Sequence, residues 1–148
     1  MNLTETELDL YKKIEKELKL NYHLIPRREN YNTRLLEPYM VLDIVLCEVA
    51  RFYCIDTEVL RSSSREGFLP QARQTFFYIT SMVSKGRISL NYMSVYINRN
   101  HATAIHGIKR IKDLIEFEPE TKLEVQAILE NVKKELAQRN ADINETNH

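Results

Sequence analysis

The sequence predicts an all-α protein: a helix-turn-helix bundle with one extra helix at each end. Glycine and proline, which interrupt helices, occur only three and four times in 148 residues. Apolar residues recur at spacings of three and four, the period of a helix that buries one face, and no stretch alternates as a half-buried strand would. Three parts are predicted: an N-terminal helix and linker over 1–40, a helix-turn-helix domain over 41–116, and a C-terminal helix with a polar tail over 117–148.

The first part opens with Thr4 and Glu7, which have the spacing of a capping box and begin a predicted helix over 4–20. This helix could pack on the body of the protein or form a dimer, and the sequence leaves both interpretations open. Residues 21–39 contain two prolines and three asparagines, so they are predicted to be an irregular linker.

The central part begins with a predicted helix over 39–54 that is apolar on more than one side and should therefore be buried. Cys47 and Cys54 lie two turns apart on it, too far for a disulfide, and are predicted to be buried thiols. Asp56 or Thr57 then caps a one-turn helix.

A polar loop over 61–67 leads to a second long helix that ends at Ser84. Pro70 is typical of the first turn of a helix, and Gly86 is typical of the residue just after its end. The apolar stripe of this helix consists of Ala72, Phe76, Ile79 and Val83.

The stretch over 89–115 has the layout of a helix-turn-helix. Ser89 is a good N-cap for a short helix, Asn98 and Arg99 form a polar break, and Asn100 caps the helix that follows. The apolar faces of the two helices consist of Leu90, Met93 and Ile97, and of Ala104, Ile108, Ile111 and Ile115.

The opposite face of the second helix carries hydrogen-bonding and cationic side chains. Thr103, His106 and Arg110 share this face, with His101 at its start and Lys109 beside it. A polar helix face that follows a tight turn is typical of a protein that reads the major groove of DNA.

The third part contains one more helix, which Pro119 begins. Residues from Asn140 onward are polar and are expected to fray. The apolar stripe of the helix consists of Val125, Leu129, Val132 and Leu136.

The charge is unevenly distributed along a chain of net charge zero. Residues 61–112 hold nine lysines and arginines against one acid, Glu66, whereas the rest of the chain holds twelve basic and twenty acidic residues. Because this basic third coincides with the helix-turn-helix, it favours binding to phosphate over a merely solvated charged face.

The segment from Arg99 to Gly107 resembles the recognition-helix signature of the C-terminal DNA-binding domain of DnaA replication initiators. That signature runs Arg-Asp-His-Thr-Thr, two apolar residues, His and a small residue, and this chain has Arg-Asn-His-Ala-Thr-Ala-Ile-His-Gly. Ser89, Leu90 and Met93 match the preceding helix, and Arg73 with Gln74 matches an upstream Arg-Gln pair. The resemblance covers 41–115 and implies a DnaA-like helix-turn-helix fold that binds double-stranded DNA.

The resemblance also implies roles for individual residues. The implied base-reading positions are Asn100, His101, Ala102 and Thr103, with His106 nearby. Such side chains suit this role because an Asn can hydrogen-bond to the edge of adenine and a methyl group can contact the methyl group of thymine. Arg73 falls on the position of an arginine that contacts the minor groove and the DNA backbone. Further backbone contacts are predicted for seven more basic residues: Arg61, Arg65, Lys85, Arg87, Arg99, Lys109 and Arg110.

Several positions depart from the family pattern. Asn100 replaces Asp, Ala102 replaces Thr, and the turn is one residue shorter than the usual Gly-Gly form. Ser81 stands where a basic residue often helps to hold phosphate, and Glu66 lies in a loop that is basic in the family. A changed target sequence and a lower affinity are therefore expected.

We predict that the chain is not an enzyme and uses no cofactor or metal. DnaA initiators carry an ATPase module, but this sequence has no Gly-x-x-x-x-Gly-Lys-Ser/Thr phosphate-binding loop. His101 and His106 do not have the spacing of a zinc-binding i, i+4 pair, and no Ser or Cys has a recognisable triad pattern.

The expected partners are double-stranded DNA and, in addition, replication proteins or a second copy of the chain; no membrane or small-molecule substrate is expected. No apolar run approaches the roughly 20 residues that span a bilayer, so a cytoplasmic, nucleoid-associated location is expected. The alternative function is a protein-interaction module that has lost or weakened DNA binding. RNA binding is a third hypothesis, disfavoured because most aromatic residues lie on apolar stripes.

Overall fold

The computed structural model describes Lys12 and residues 36–146, with side chains placed as far as Ile143. Every regular element of these residues is a helix, which confirms the all-α prediction. The helices are α1 (Pro38–Tyr53), α2 (Thr57–Arg61), α3 (Leu69–Ser84), α4 (Leu90–Tyr96), α5 (His101–Phe117) and α6 (Pro119–Thr146). Nearly all of the predicted helix over 4–20, and most of the linker that follows it, lie outside the described residues.

α1 forms one wall of the hydrophobic core. Pro38 begins it, at a position where the missing N–H would have had no helical partner. The helix ends at Cys54 in a left-handed conformation, and the amide of Ile55 then donates to the carbonyl of Ala50 at 3.0 Å. The predicted burial of α1 is confirmed along its inner face, where Val45 and Val49 are completely enclosed.

The prediction that both cysteines are buried is wrong, because Cys47 and Cys54 are both exposed free thiols. Cys47 is two residues from both Val45 and Val49, so it lies about 200° around the helix from the two side chains that enter the core. Cys54 follows the last residue of α1 and leaves the helix surface altogether.

α3 is the central helix and packs against each of the other five. Ala72, Phe76 and Ile79 of its predicted stripe are fully buried, and Val83 is partly buried against the core. Its two phenylalanines, Phe76 and Phe77, are in contact with each other, with ring centroids 5.6 Å apart. This helix is therefore the support on which the helix-turn-helix rests.

α6 is part of the same core rather than an appended element. Val125 and Val132 of the predicted stripe are buried, and so is Ile128, which the sequence analysis did not include. The expectation that the chain frays from Asn140 is not met, because α6 continues to Thr146. Side-chain pairs four residues apart accompany its last turns: Arg139 with Glu135 at 2.9 Å and Gln138 with Asp142 at 3.0 Å.

Candidate nucleic-acid interface

The short helix α4 is built as the sequence predicts. The hydroxyl of Ser89 accepts a hydrogen bond from the amide of Tyr92 at 3.0 Å, which is the N-cap geometry. Leu90, Met93 and Ile97 are all buried in the core. α4 therefore positions the turn that follows it through both its cap and its apolar face.

The turn between α4 and α5 depends on a left-handed residue. Asn98 has φ 59°, a conformation that asparagine adopts more readily than most residues other than glycine. The amide of Arg99 then donates back to the carbonyl of Ser94 at 2.8 Å. Asn98 thus does here what a glycine commonly does in a tight turn, which explains how the turn closes without one.

Asn100 caps α5, and this prediction is confirmed. Its Oδ1 accepts from the amide of Thr103 at 3.0 Å and from the hydroxyl of Thr103 at 3.1 Å. A bidentate contact between an Asn and adenine uses both the side-chain oxygen and the side-chain NH2 group. In Asn100 the oxygen is already engaged in the helix cap.

The two faces of α5 are separated as predicted. Thr103, His106, Lys109 and Arg110 are exposed. His101 and Ala102, in the first turn, are half-buried. The opposite face consists of the buried residues Ala104, Ile105, Gly107, Ile108 and Ile111. The exposed face is polar and cationic over its first three turns.

A glycine allows α5 to lie close to α3. A β-carbon on Gly107 would be 3.1 Å from Cδ2 of Phe77 and 3.3 Å from Cα of Gln74, which is tighter than ordinary contact. The absence of a side chain here sets the distance between the two helices. It thereby sets how far the exposed face of α5 stands out from the body of the protein.

Arg73 lies inside the protein, beneath the loop over 62–66. It is 5% exposed. Its Nε donates to the carbonyl of Leu60 at 2.8 Å and its Nη1 to that of Ser64 at 2.6 Å. Its Nη2 donates to Val59 at 3.1 Å and to Ser62 at 2.9 Å. The guanidinium therefore binds the protein's own backbone, and its predicted contact with DNA would require these bonds to be given up.

Two more of the predicted phosphate-binding arginines make internal contacts. Arg99 donates to the carbonyl of Ser62 at 2.5 Å and to those of Ile97 and Asn98 at 3.1 Å. Arg61 donates to the carbonyl of Tyr96 at 3.2 Å, and its guanidinium lies 4.8 Å from the centre of that ring. Both side chains connect the loop after α2 to the helix-turn-helix.

The remaining predicted phosphate ligands are on the surface. The exposed set comprises Arg65, Lys85, Arg87, Lys109 and Arg110. Ser81, which stands where the family often has a basic residue, is buried and donates to the carbonyl of Tyr78 at 2.6 Å. The structure thus divides the predicted basic set into five exposed side chains and three that hold the fold together.

The arginines around the loop also influence one another. Burial lowers the pKa of Arg73, and the charges of Arg99 and Arg65 lower it further. Burial and the charge of Arg65 likewise lower the pKa of Arg99. Arg73 and Arg99 nevertheless stay charged at neutral pH, because the ordinary pKa of an arginine lies so far above neutrality. The region therefore carries concentrated positive charge.

Sequence reasoning missed the internal role of Arg73, although a signal was present. Arg73 precedes Phe76 by three residues and Phe77 by four, so it shares the buried face of α3. A charged residue on such a face must find partners inside the protein, and here they are backbone carbonyls. Helical spacing could have found the burial, but it could not have found the partners.

Part of the chain is similar to two curated bacterial proteins, each named chromosomal replication initiator protein DnaA. The protein of Flavobacterium psychrophilum is 30% identical over 74 residues, which cover 50% of this chain and 15% of that protein. The protein of Bacteroides thetaiotaomicron is 27% identical over 96 residues, 64% of this chain and 20% of that protein.

Other comparisons give no match. No protein-family model matches the chain, and no solved structure matches it either. The chain spans a fifth or less of the length of these two initiators. The similarity therefore indicates a DnaA-like domain within this chain.

Proposed function

We propose that this protein binds double-stranded DNA in a sequence-specific way, with the first turns of α5 in the major groove. The observation that carries the proposal is the division of α5 into a buried apolar face and an exposed polar, cationic face. The helix begins at a capped N-terminus after a tight turn. This is the layout of a recognition helix, whose N-terminal residues meet the base edges.

Within this proposal the side chains have two kinds of role. Residues of the first turns read bases: Asn100, His101, Ala102, Thr103 and His106. Exposed basic residues bind phosphates and fix the register of the protein on the duplex: Arg65, Lys85, Arg87, Lys109 and Arg110.

The similarity to DnaA initiators supports a role in replication or its regulation. Both relatives are named as chromosomal replication initiators. We propose that this chain acts through binding alone, because the sequence contains no Gly-x-x-x-x-Gly-Lys-Ser/Thr motif with which to hold a nucleotide.

Selection from a random duplex pool tests the proposal. The protein should enrich one site, and the purified site should bind more tightly than random duplex at the same salt. The test variant is His106→Ala, which removes an exposed side chain of α5 and should reduce enrichment while leaving the helical circular dichroism unchanged. Equal binding of enriched and random duplexes would contradict sequence-specific reading.

A protein-interaction module is the second candidate, and one feature favours it. A groove of about 600 Å³ lies between α1 and the end of α6, lined by residues that include Tyr39, Ile44, Cys47 and Arg139. Tyr39 is 54% exposed there. If duplex binding is absent at low salt, this groove is the surface to examine.

A further inference from the structure

Three arginines meet at the loop over 62–66, which lies in the segment that joins α2 to α3. Arg73 reaches this loop from α3 and binds the carbonyls of Ser62 and Ser64 as well as two carbonyls of α2. Arg99 reaches it from the turn before α5. The carbonyl of Ser62 accepts from both guanidiniums, at 2.9 Å from Arg73 and 2.5 Å from Arg99. One backbone oxygen therefore joins the loop, α3 and the turn before the recognition helix.

A second set of contacts ties the beginning of the loop to the same turn. The side-chain amide of Asn98 donates to the carbonyl of Arg61 at 3.3 Å. The Nε of Arg61 donates to the carbonyl of Tyr96 at 3.2 Å, at the end of α4. The loop is therefore held against the helix-turn-helix at both Arg61 and Ser62.

The third arginine, Arg65, is the exposed member of the cluster. It lies close enough to Arg73 and Arg99 for its charge to act on both. Among the described residues none of these three arginines forms an ion pair with an acid. A phosphate at Arg65 would supply the counter-charge that the cluster lacks.

We propose that Arg73 and Arg99 are positioning residues of the DNA interface: they hold the loop over 62–66 so that Arg65 meets a DNA phosphate at a fixed distance from α5. This proposal rests on the proposed function. It gives Arg73 an effect on DNA binding without any contact between Arg73 and DNA. It also makes the loop and the recognition helix one rigid binding surface.

The effect of Arg65→Gln on DNA binding, measured with and without Arg73→Lys, tests the positioning. In the otherwise wild-type protein, Arg65→Gln should weaken duplex binding several-fold and reduce the salt slope by about 0.9, the value for one phosphate. Lysine keeps the charge of Arg73 but cannot span four carbonyls, so the loop should loosen. In that background Arg65→Gln should change neither affinity nor slope appreciably.

Hydrogen exchange of the amides over 62–66, measured without DNA, provides an independent readout. Arg73→Lys and Arg99→Lys should both speed exchange in this loop while leaving exchange in α1 and α6 unchanged. The matched control is Arg139→Lys, whose arginine pairs with Glu135 on α6 far along the chain, and it should leave the loop as it is. If Arg73→Lys does not fold, as judged by circular dichroism, Arg99→Lys serves for both measurements.

The outcomes separate this proposal from the function on which it rests. Additive effects of the two substitutions on binding, or unchanged loop exchange in both lysine variants, would overturn the positioning role. Failure of the wild-type protein to bind duplex at about 50 mM salt would overturn the DNA-binding function and the role of Arg65 with it. The hydrogen-exchange measurement on residues 62–66 would then still show whether Arg73 and Arg99 hold the loop.

Discussion

At the scale of single residues, neighbouring side chains of the candidate interface have different roles: some stabilise the fold and others are exposed for binding. Asn100 caps α5 with the same oxygen that would contact a base in the proposed complex. Thr103 supplies the two donors of this cap and is itself exposed on the polar face of α5. Arg99, directly before the cap, holds a loop. Substitutions here therefore need readouts that separate stability from recognition.

His101 and Lys109 should behave differently when each is replaced by alanine. His101 lies in the first turn of α5, where base edges are reached, so His101→Ala should cost about 1–3 kcal/mol on the selected site and little on random duplex. Lys109 is exposed two turns further on, and Lys109→Ala should weaken binding to all duplexes by similar factors. Parallel titrations with both duplexes make the comparison, and equal losses for His101→Ala on both would contradict base reading.

Asn100→Asp should change which base is preferred at one position without unfolding the helix. Aspartate caps a helix as well as asparagine does, so the thermal midpoint should be nearly unchanged. An acceptor-only carboxylate favours the cytosine amino group, whereas asparagine favours adenine. Competition with all four bases at each position of the site provides the measurement. Identical preferences in the two proteins would show that Asn100 only caps the helix.

At the scale of elements, the turn between α4 and α5 determines how α5, the proposed recognition helix, is placed. Asn98 holds a positive φ there and also donates to the carbonyl of Arg61. The buried end of α4 at Ile97 lies on one side of this turn and the cap of α5 on the other. The geometry of the turn therefore controls the direction in which α5 leaves the body.

Replacing Asn98 should show how much strain the turn contains. Asn98→Ala places a side chain with no local hydrogen bond in a left-handed conformation, which costs about 1–2 kcal/mol, and should lower the midpoint of thermal unfolding. Asn98→Gly removes the strain and loses only the side-chain bond, so its loss of stability should be smaller. If the alanine variant is as stable as the glycine variant, the turn does not hold Asn98 in this conformation in solution.

At the scale of the whole molecule, zero net charge hides a basic surface around the helix-turn-helix. Of the eight basic side chains predicted to bind phosphates, five are exposed and available to them, and the other three are used inside the protein. The acids that balance the charge lie mostly before and after this region in the sequence.

Duplex binding should therefore depend steeply on salt. With four or five phosphates neutralised, the logarithm of the binding constant should fall with the logarithm of salt concentration with a slope of roughly −3.6 to −4.5, at about −0.9 per contact. Fluorescence titrations between about 50 and 200 mM salt would measure the slope. A slope near zero would favour the protein-interaction alternative.

The sequence by itself determined the local features of this protein. The caps at Ser89 and Asn100, the start of α6 at Pro119 and the buried faces of α3, α4 and α5 were all predictable. These features are local because a cap joins residues three apart and a helix face repeats every three or four. Caps and helix faces can therefore be predicted without knowing which other helices pack against them.

Only the tertiary structure decided which basic side chains remain on the surface. Arg99 and its acceptor Ser62 are 37 residues apart, and Arg73 and Val59 are 14 apart. Backbone carbonyls are present at every residue, so composition cannot indicate which of them a guanidinium will meet. The packing of α3 against α5 brings the loop and the turn together. Because of that proximity, arginines predicted to bind DNA instead hold the loop against the turn.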